Sequence, residues 1–135
     1  MSKHKNSNIG VIIVSLFLAI LLFGTITFSF QTDDELKKKY APILGTYEFD
    51  MADYEMGVET VKIYVEYGSL WALPSTNDSP AEMIAVEEKE FEFNIEDPDE
   101  GTYEIKFMKD DKSEYSKCHV INEFVGIDVI GSKIK

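Results

Sequence analysis

From Gly45 onward, apolar residues recur at every second position, the period of a strand with one face buried and the other wet. "GTYEFDM" puts Tyr47, Phe49 and Met51 on one face; "VKIYVEY" puts Val61, Ile63 and Val65 on one face with Lys62, Tyr64 and Glu66 opposite. The alternation returns in "FEFNI" (Phe91, Phe93, Ile95) and "TYEIKFM" (Tyr103, Ile105, Phe107), with charges interleaved. Turn chemistry separates these runs: "EYGS" around Gly68, "PSTNDSP" from Pro74, "EDPDEG" up to Gly101 and "KDDKS" around Asp110. The spacing predicts about eight strands, near 45–51, 59–66, 69–73, 82–87, 90–95, 102–108, 114–121 and 124–130. Short turns between close strands predict an antiparallel meander, which hides its edges by curling into an up-and-down β-barrel. The expected fold is all-β, one small barrel over residues 45–135.

Before the barrel the pattern is different. Residues 31–44 form a linker in which Thr32 and Glu35 have the capping-box spacing. Asp33/Lys37, Asp34/Lys38 and Glu35/Lys39 are acid-to-lysine pairs at i,i+4, so a short helix is expected, ending before Pro42 and packing Leu36 and Tyr40 on the barrel. Ile9 to Phe30 carries no charge. As a helix it would reach roughly 33 Å, enough to span a bilayer. Lys3, His4 and Lys5 precede it and Asp33, Asp34 and Glu35 follow, so the positive-inside rule expects residues 1–8 to be a cytoplasmic tail and the acidic domain to lie outside. The segment is either a retained signal anchor in the cell membrane or a cleaved signal peptide that leaves a secreted or periplasmic domain. Its length favours retention, while Thr27-Phe28-Ser29 is an imperfect cleavage site.

Charge narrows the partners. All 25 acidic residues follow Thr32, and Lys3 and Lys5 precede the apolar run, which leaves 11 lysines against 25 acids beyond it, a formal −14. Such a field repels nucleic acid and anionic lipid headgroups. Arginine is absent, and with it the bidentate clamp for phosphate or carboxylate.

Taken together, "ILGTYEF", "VKIYVEYGSLWALP", "FEF", "GTYEIKFM" and "KCHVI…VGIDVI" resemble the small lipocalin-like β domain found C-terminal to serine hydrolases of the β-lactamase and penicillin-binding class. The likeness spans about residues 42–131 and is carried chiefly by the hairpin from Val61 to Pro74. It implies a lipocalin-like barrel. It implies no catalysis, because these 135 residues hold no counterpart of the hydrolase domain and the small domain has no catalytic residues to transfer.

The residues themselves point the same way. His119 is the one histidine of the domain, and its neighbour Cys118 lies on the opposite face of an extended strand, so the two cannot form a nucleophile–base pair. Cys118 is expected as a small buried residue, and a single cysteine excludes an intramolecular disulfide. "DPDEG" opens like a calcium loop, but position 12 from Asp97 is Met108 instead of glutamate, so a hairpin turn is expected there. Glu87-Glu88 and Asp110-Asp111 read as solvated turn charges. No metal, cofactor or catalytic residue is assigned.

The aromatic residues carry the remaining signal. Tyr47, Phe49, Tyr64, Trp71, Phe91, Phe93, Tyr103, Phe107 and Phe124 fall in the expected strands. An eight-stranded barrel is just wide enough to be filled by side chains or to hold one small ligand. If a cavity remains, Trp71, Tyr47, Tyr64, Tyr103 and Phe93 are the candidate ligand-binding residues. The expected function is a non-enzymatic, membrane-tethered extracytoplasmic module acting on an envelope protein. The alternative is a lipocalin-like carrier or sensor of a small apolar molecule.

Overall fold

The structure, a computed structural model, describes residues 31–135. The tail at 1–8 and the apolar segment Ile9–Phe30 lie outside the described residues. Among the described residues no helix is long and apolar enough to cross a membrane.

Eight strands follow one another: β1 (Gly45–Asp50), β2 (Val58–Glu66), β3 (Ser69–Pro74), β4 (Ala81–Ala85), β5 (Glu92–Asp97), β6 (Gly101–Lys109), β7 (Tyr115–Asn122) and β8 (Ile127–Lys133). Each pairs antiparallel with the next, and β8 returns to β1 through Tyr47↔Lys133 and Glu48↔Ser132, closing the barrel. The seam is extended by Ile134 N donating to the Thr46 carbonyl at 2.8 Å. Closure leaves no strand edge unpaired. The last strand starts later than its expected position near 124, because Phe124 sits in the β7–β8 turn, where Asn122 Oδ1 accepts from the Phe124 and Val125 amides.

Period two explains the wall. Along β2, Ile63 and Val65 are buried while Lys62 and Glu66 are exposed; along β6, Ile105 and Phe107 are buried while Glu104 and Lys106 are exposed. The β2–β3 hairpin needs only Tyr67 and Gly68, at φ 51° and 72°, the left-handed pair of a type I′ turn that matches strand twist. Gly131 answers a different need. A Cβ there would lie 2.5 Å from the Phe49 ring, so the missing side chain is the space in which that ring sits.

One helix, α1 (Asp33–Tyr40), stands before the barrel. Its capping box is complete: Glu35 N donates to Thr32 Oγ1 at 3.2 Å and Thr32 N to Glu35 Oε2 at 3.3 Å. Eight residues alone make a marginal helix, so its stability comes from packing Leu36 and Tyr40. The three expected i,i+4 ion pairs do not close: among the described residues the lysine–carboxylate pair is Lys106–Glu92, and His119 is hydrogen-bonded to Asp128. Two of the helix acids have other partners, since Asp33 Oδ1 accepts from Gly68 N at 2.7 Å and Glu35 serves the cap. Acids in the first turn and lysines in the last still suit the helix dipole.

The up-and-down order puts the β2–β3, β4–β5 and β6–β7 links at one end of the barrel with α1, and the other four links at the opposite end. The helix end is solid. Tyr40 meets Phe93 at 5.6 Å between ring centroids, Phe93 meets Phe107 at 5.9 Å and Phe107 meets Tyr47 at 5.3 Å, an aromatic stack from plug to barrel middle. Phe91, expected within a strand, instead precedes β5 at φ 55° and packs edge-on against Tyr115.

Candidate functional site

The other half of the barrel is hollow. A cavity of about 400 Å³ opens between the β1–β2, β3–β4 and β5–β6 links, and Tyr47, Phe49, Ile63, Ala72, Ile105 and Cys118 line it at depth. That volume falls within the ~300–1,000 Å³ usual for small-molecule sites. Val61, Ala81, Ile95, Val120, Ile127 and Val129 form the wall toward the opening, and Met51 and Met56 contribute flexible side chains from the β1–β2 link. Most of the wall here is aliphatic, whereas Tyr40, Phe93 and Phe107 bring ring against ring at the helix end.

At the mouth the chemistry changes. Glu59, Asp97, Glu100 and Tyr103 join the lining, with Thr76, Asn77 and Ser79 from the β3–β4 link. Glu59 faces inward beside Phe49, its partner across the β1–β2 ladder. Its Oε1 accepts from Thr76 Oγ1 at 2.6 Å. Asp97 Oδ1 accepts from the Asp99 and Glu100 amides, which makes the "DPDEG" stretch a carboxylate-capped turn. Tyr103 Oη donates to Glu100 Oε2. Burial, followed by that bond, pushes the Tyr103 phenol up to about 12.

The five residues singled out from sequence separate. Tyr47 and Tyr103 line the cavity, Tyr47 at its floor and Tyr103 at its mouth. Phe93 belongs to the aromatic stack at the helix end. Tyr64 and Trp71 are cross-strand partners on the outer wall, because Ile63, Val65, Leu70 and Ala72 take the inward positions. The Trp71 indole donates to the Glu66 carbonyl at 2.7 Å. The cavity residues that sequence reading passed over are the aliphatic wall and the acids Glu59, Asp97 and Glu100. Phase alone would have identified Glu59, an acid at an inward position of β2.

Cys118 and His119 face opposite ways. Cys118 is 2% exposed, and burial raises its thiol to about 12. His119 Nε2 donates to Asp128 Oδ1 at 2.6 Å on the outer surface. Asp128 is also held through its backbone: its amide donates to Tyr54 Oη at 2.8 Å and its carbonyl accepts from the same hydroxyl at 2.9 Å. Tyr54 thereby ties the β1–β2 link to β8 beside the mouth. Among the described residues no three His, Cys, Asp or Glu side chains gather closely enough to hold a metal.

No family model, curated protein or solved structure matches the chain. Nothing in those comparisons links it to β-lactamase-type hydrolases, so the resemblance rests on its strand and turn pattern.

Proposed function

We propose that this domain takes up one small, largely apolar molecule in the open half of its barrel, as a carrier or sensor in the manner of a lipocalin. The observation that carries the reading is the cavity of about 400 Å³, walled by aliphatic side chains and closed beneath by aromatic ones. A barrel stabilised only for its own sake would gain by filling that space, since each unfilled volume forfeits packing contacts. The resemblance to lipocalin-like modules accords with the same reading, and no step of it requires catalysis.

Location is part of the proposal. Ile9–Phe30 acts as a signal anchor and the domain works on the outer side of the cell membrane, or is released there after cleavage. A reporter joined after Lys135 is expected to be active only outside the cytoplasm, and cytoplasmic activity would remove this element. The mass of the native N-terminus separates the anchored form from the cleaved one.

The uptake test uses the full chain in a neutral detergent and a neutral fluorophore such as N-phenyl-1-naphthylamine. Val120→Phe and Val129→Phe each place a ring in the cavity wall, and the comparison with the parent cancels the detergent background. Saturable emission in the parent, lost in both variants while each still melts cooperatively, is the expected outcome. Equal emission from parent and variants ends the proposal.

A second reading, docking to an envelope protein, draws on apolar residues left exposed on the mouth links, Met56, Val125 and Phe124, the last 78% exposed. Cross-linking from Phe124 in native membranes tests it; the absence of any adduct above background removes it.

A further inference from the structure

We infer that the molecule taken up is an amphiphilic organic cation, with an apolar chain in the barrel and an ammonium-type head at the mouth. The inference rests on the uptake reading above and specifies the ligand class for that site. Every charged residue lining the cavity is an acid: Glu59, Asp97 and Glu100. Among the described residues none of the three has a lysine or histidine within ion-pair distance, since those contacts are made by Glu92 and Asp128. Their hydrogen bonds come from neutral donors, the Thr76 hydroxyl, the turn amides and the Tyr103 phenol, which leave the negative charge in place.

Glu59 and Asp97 are half-buried and Glu100 is exposed, so their charge faces both solvent and the entrance through which a ligand must pass. A fatty acid or phosphate head entering there meets three like charges. An ammonium head meets three opposite ones, with the Tyr103 ring available to it as well. A bare metal ion fits poorly, because no three acidic, histidine or cysteine groups among the described residues come together to coordinate one. The geometry therefore suits a diffuse cation held at some distance from several carboxylates, with its binding energy shared between head and chain.

Three water-soluble probes with the same eight-carbon chain test this by calorimetry on the full chain in neutral detergent: octyltrimethylammonium, octanol and octanoate. The cation is expected to bind roughly tenfold or more tightly than octanol at low salt, with octanoate weakest, and the gap should shrink as salt screens the mouth. The combined Glu59→Gln, Asp97→Asn and Glu100→Gln variant keeps each acceptor oxygen and removes only charge. It should lose the preference for the cation, with the ratio of cation to octanol affinity falling toward one. Equal affinity for all three probes, or a cation preference that survives in the amide variant, overturns the inference while uptake stands. If no probe binds, the uptake reading falls and the inference with it.

Discussion

The Tyr47 phenol donates a hydrogen bond of 2.8 Å to the Ile43 carbonyl, joining the floor of the cavity to the segment that connects α1 to the barrel. Both residues are fully buried. Burial, with Cys118 adding to it, pushes the phenol well above its ordinary value, so the donor keeps its proton throughout the physiological range. The Lys133 ammonium reaches the same segment, donating to the Pro42 carbonyl at 3.0 Å and lying over the Tyr47 ring. Plug and floor are thus one packed unit.

Tyr47→Phe keeps the ring against Phe107 and removes only the hydroxyl. The loss of a buried hydrogen bond is expected to cost about 1–2 kcal/mol, read as a lower urea midpoint with an unchanged slope. An unchanged midpoint would mean that the plug is held by apolar packing alone.

Gly131→Ala forces a methyl group into the Phe49 ring, and overpacking of this kind costs about 1–3 kcal/mol. Phe49→Leu in the same chain should return part of that loss, because the two sites share one volume. Strict additivity of the two substitutions, measured as a double-mutant cycle, would contradict the direct clash.

Tyr54→Phe deletes both bonds to the Asp128 backbone. Faster amide exchange at Asp128 is expected, with exchange at Ile105 in the buried wall unaffected, because the tether restrains a link rather than the sheet. If Asp128 exchanges as before, the tether does not restrain this end of the barrel.

Alkaline pH should weaken the fold. Cys118 titrates near 12 when folded against an ordinary value near 9, so between these values the unfolded chain has released a proton that the folded chain retains. The unfolded state then binds fewer protons, and stability falls as pH rises; below about pH 9 this contribution is fully present. Tyr47 and Tyr103, both raised, act in the same direction at higher pH. Urea midpoints measured from about pH 7 to 10.5 should decline, and the decline should be shallower in Cys118→Ala. A parallel decline in both proteins would assign the effect to other groups.

Much of the barrel was legible because period-two alternation and turn residues are local signals. Ile63, Val65, Ile105 and Phe107 show their inward phase in the sequence itself, and Thr32 with Glu35 marks the helix start. The same phase already placed Tyr64 outward, yet aromatic type drew it, with Trp71, into the candidate site. Phe124 shows the limit of boundary reading: an apolar residue beside a strand looks the same whether it continues the ladder or caps a turn through Asn122.

Composition and alternation were thus enough to specify strand number, antiparallel order, an acidic surface and a capped leader helix, since each depends on residues close together along the chain. The division of the interior into a solid aromatic end and a hollow aliphatic end was decided only by tertiary structure. Which inward residues share a layer follows from register and closure, such as Cys118 opposite Gly131, and Glu59 beside Phe49. A cavity is a sum of side-chain volumes drawn from eight strands across the whole domain, and no local window of sequence contains that sum.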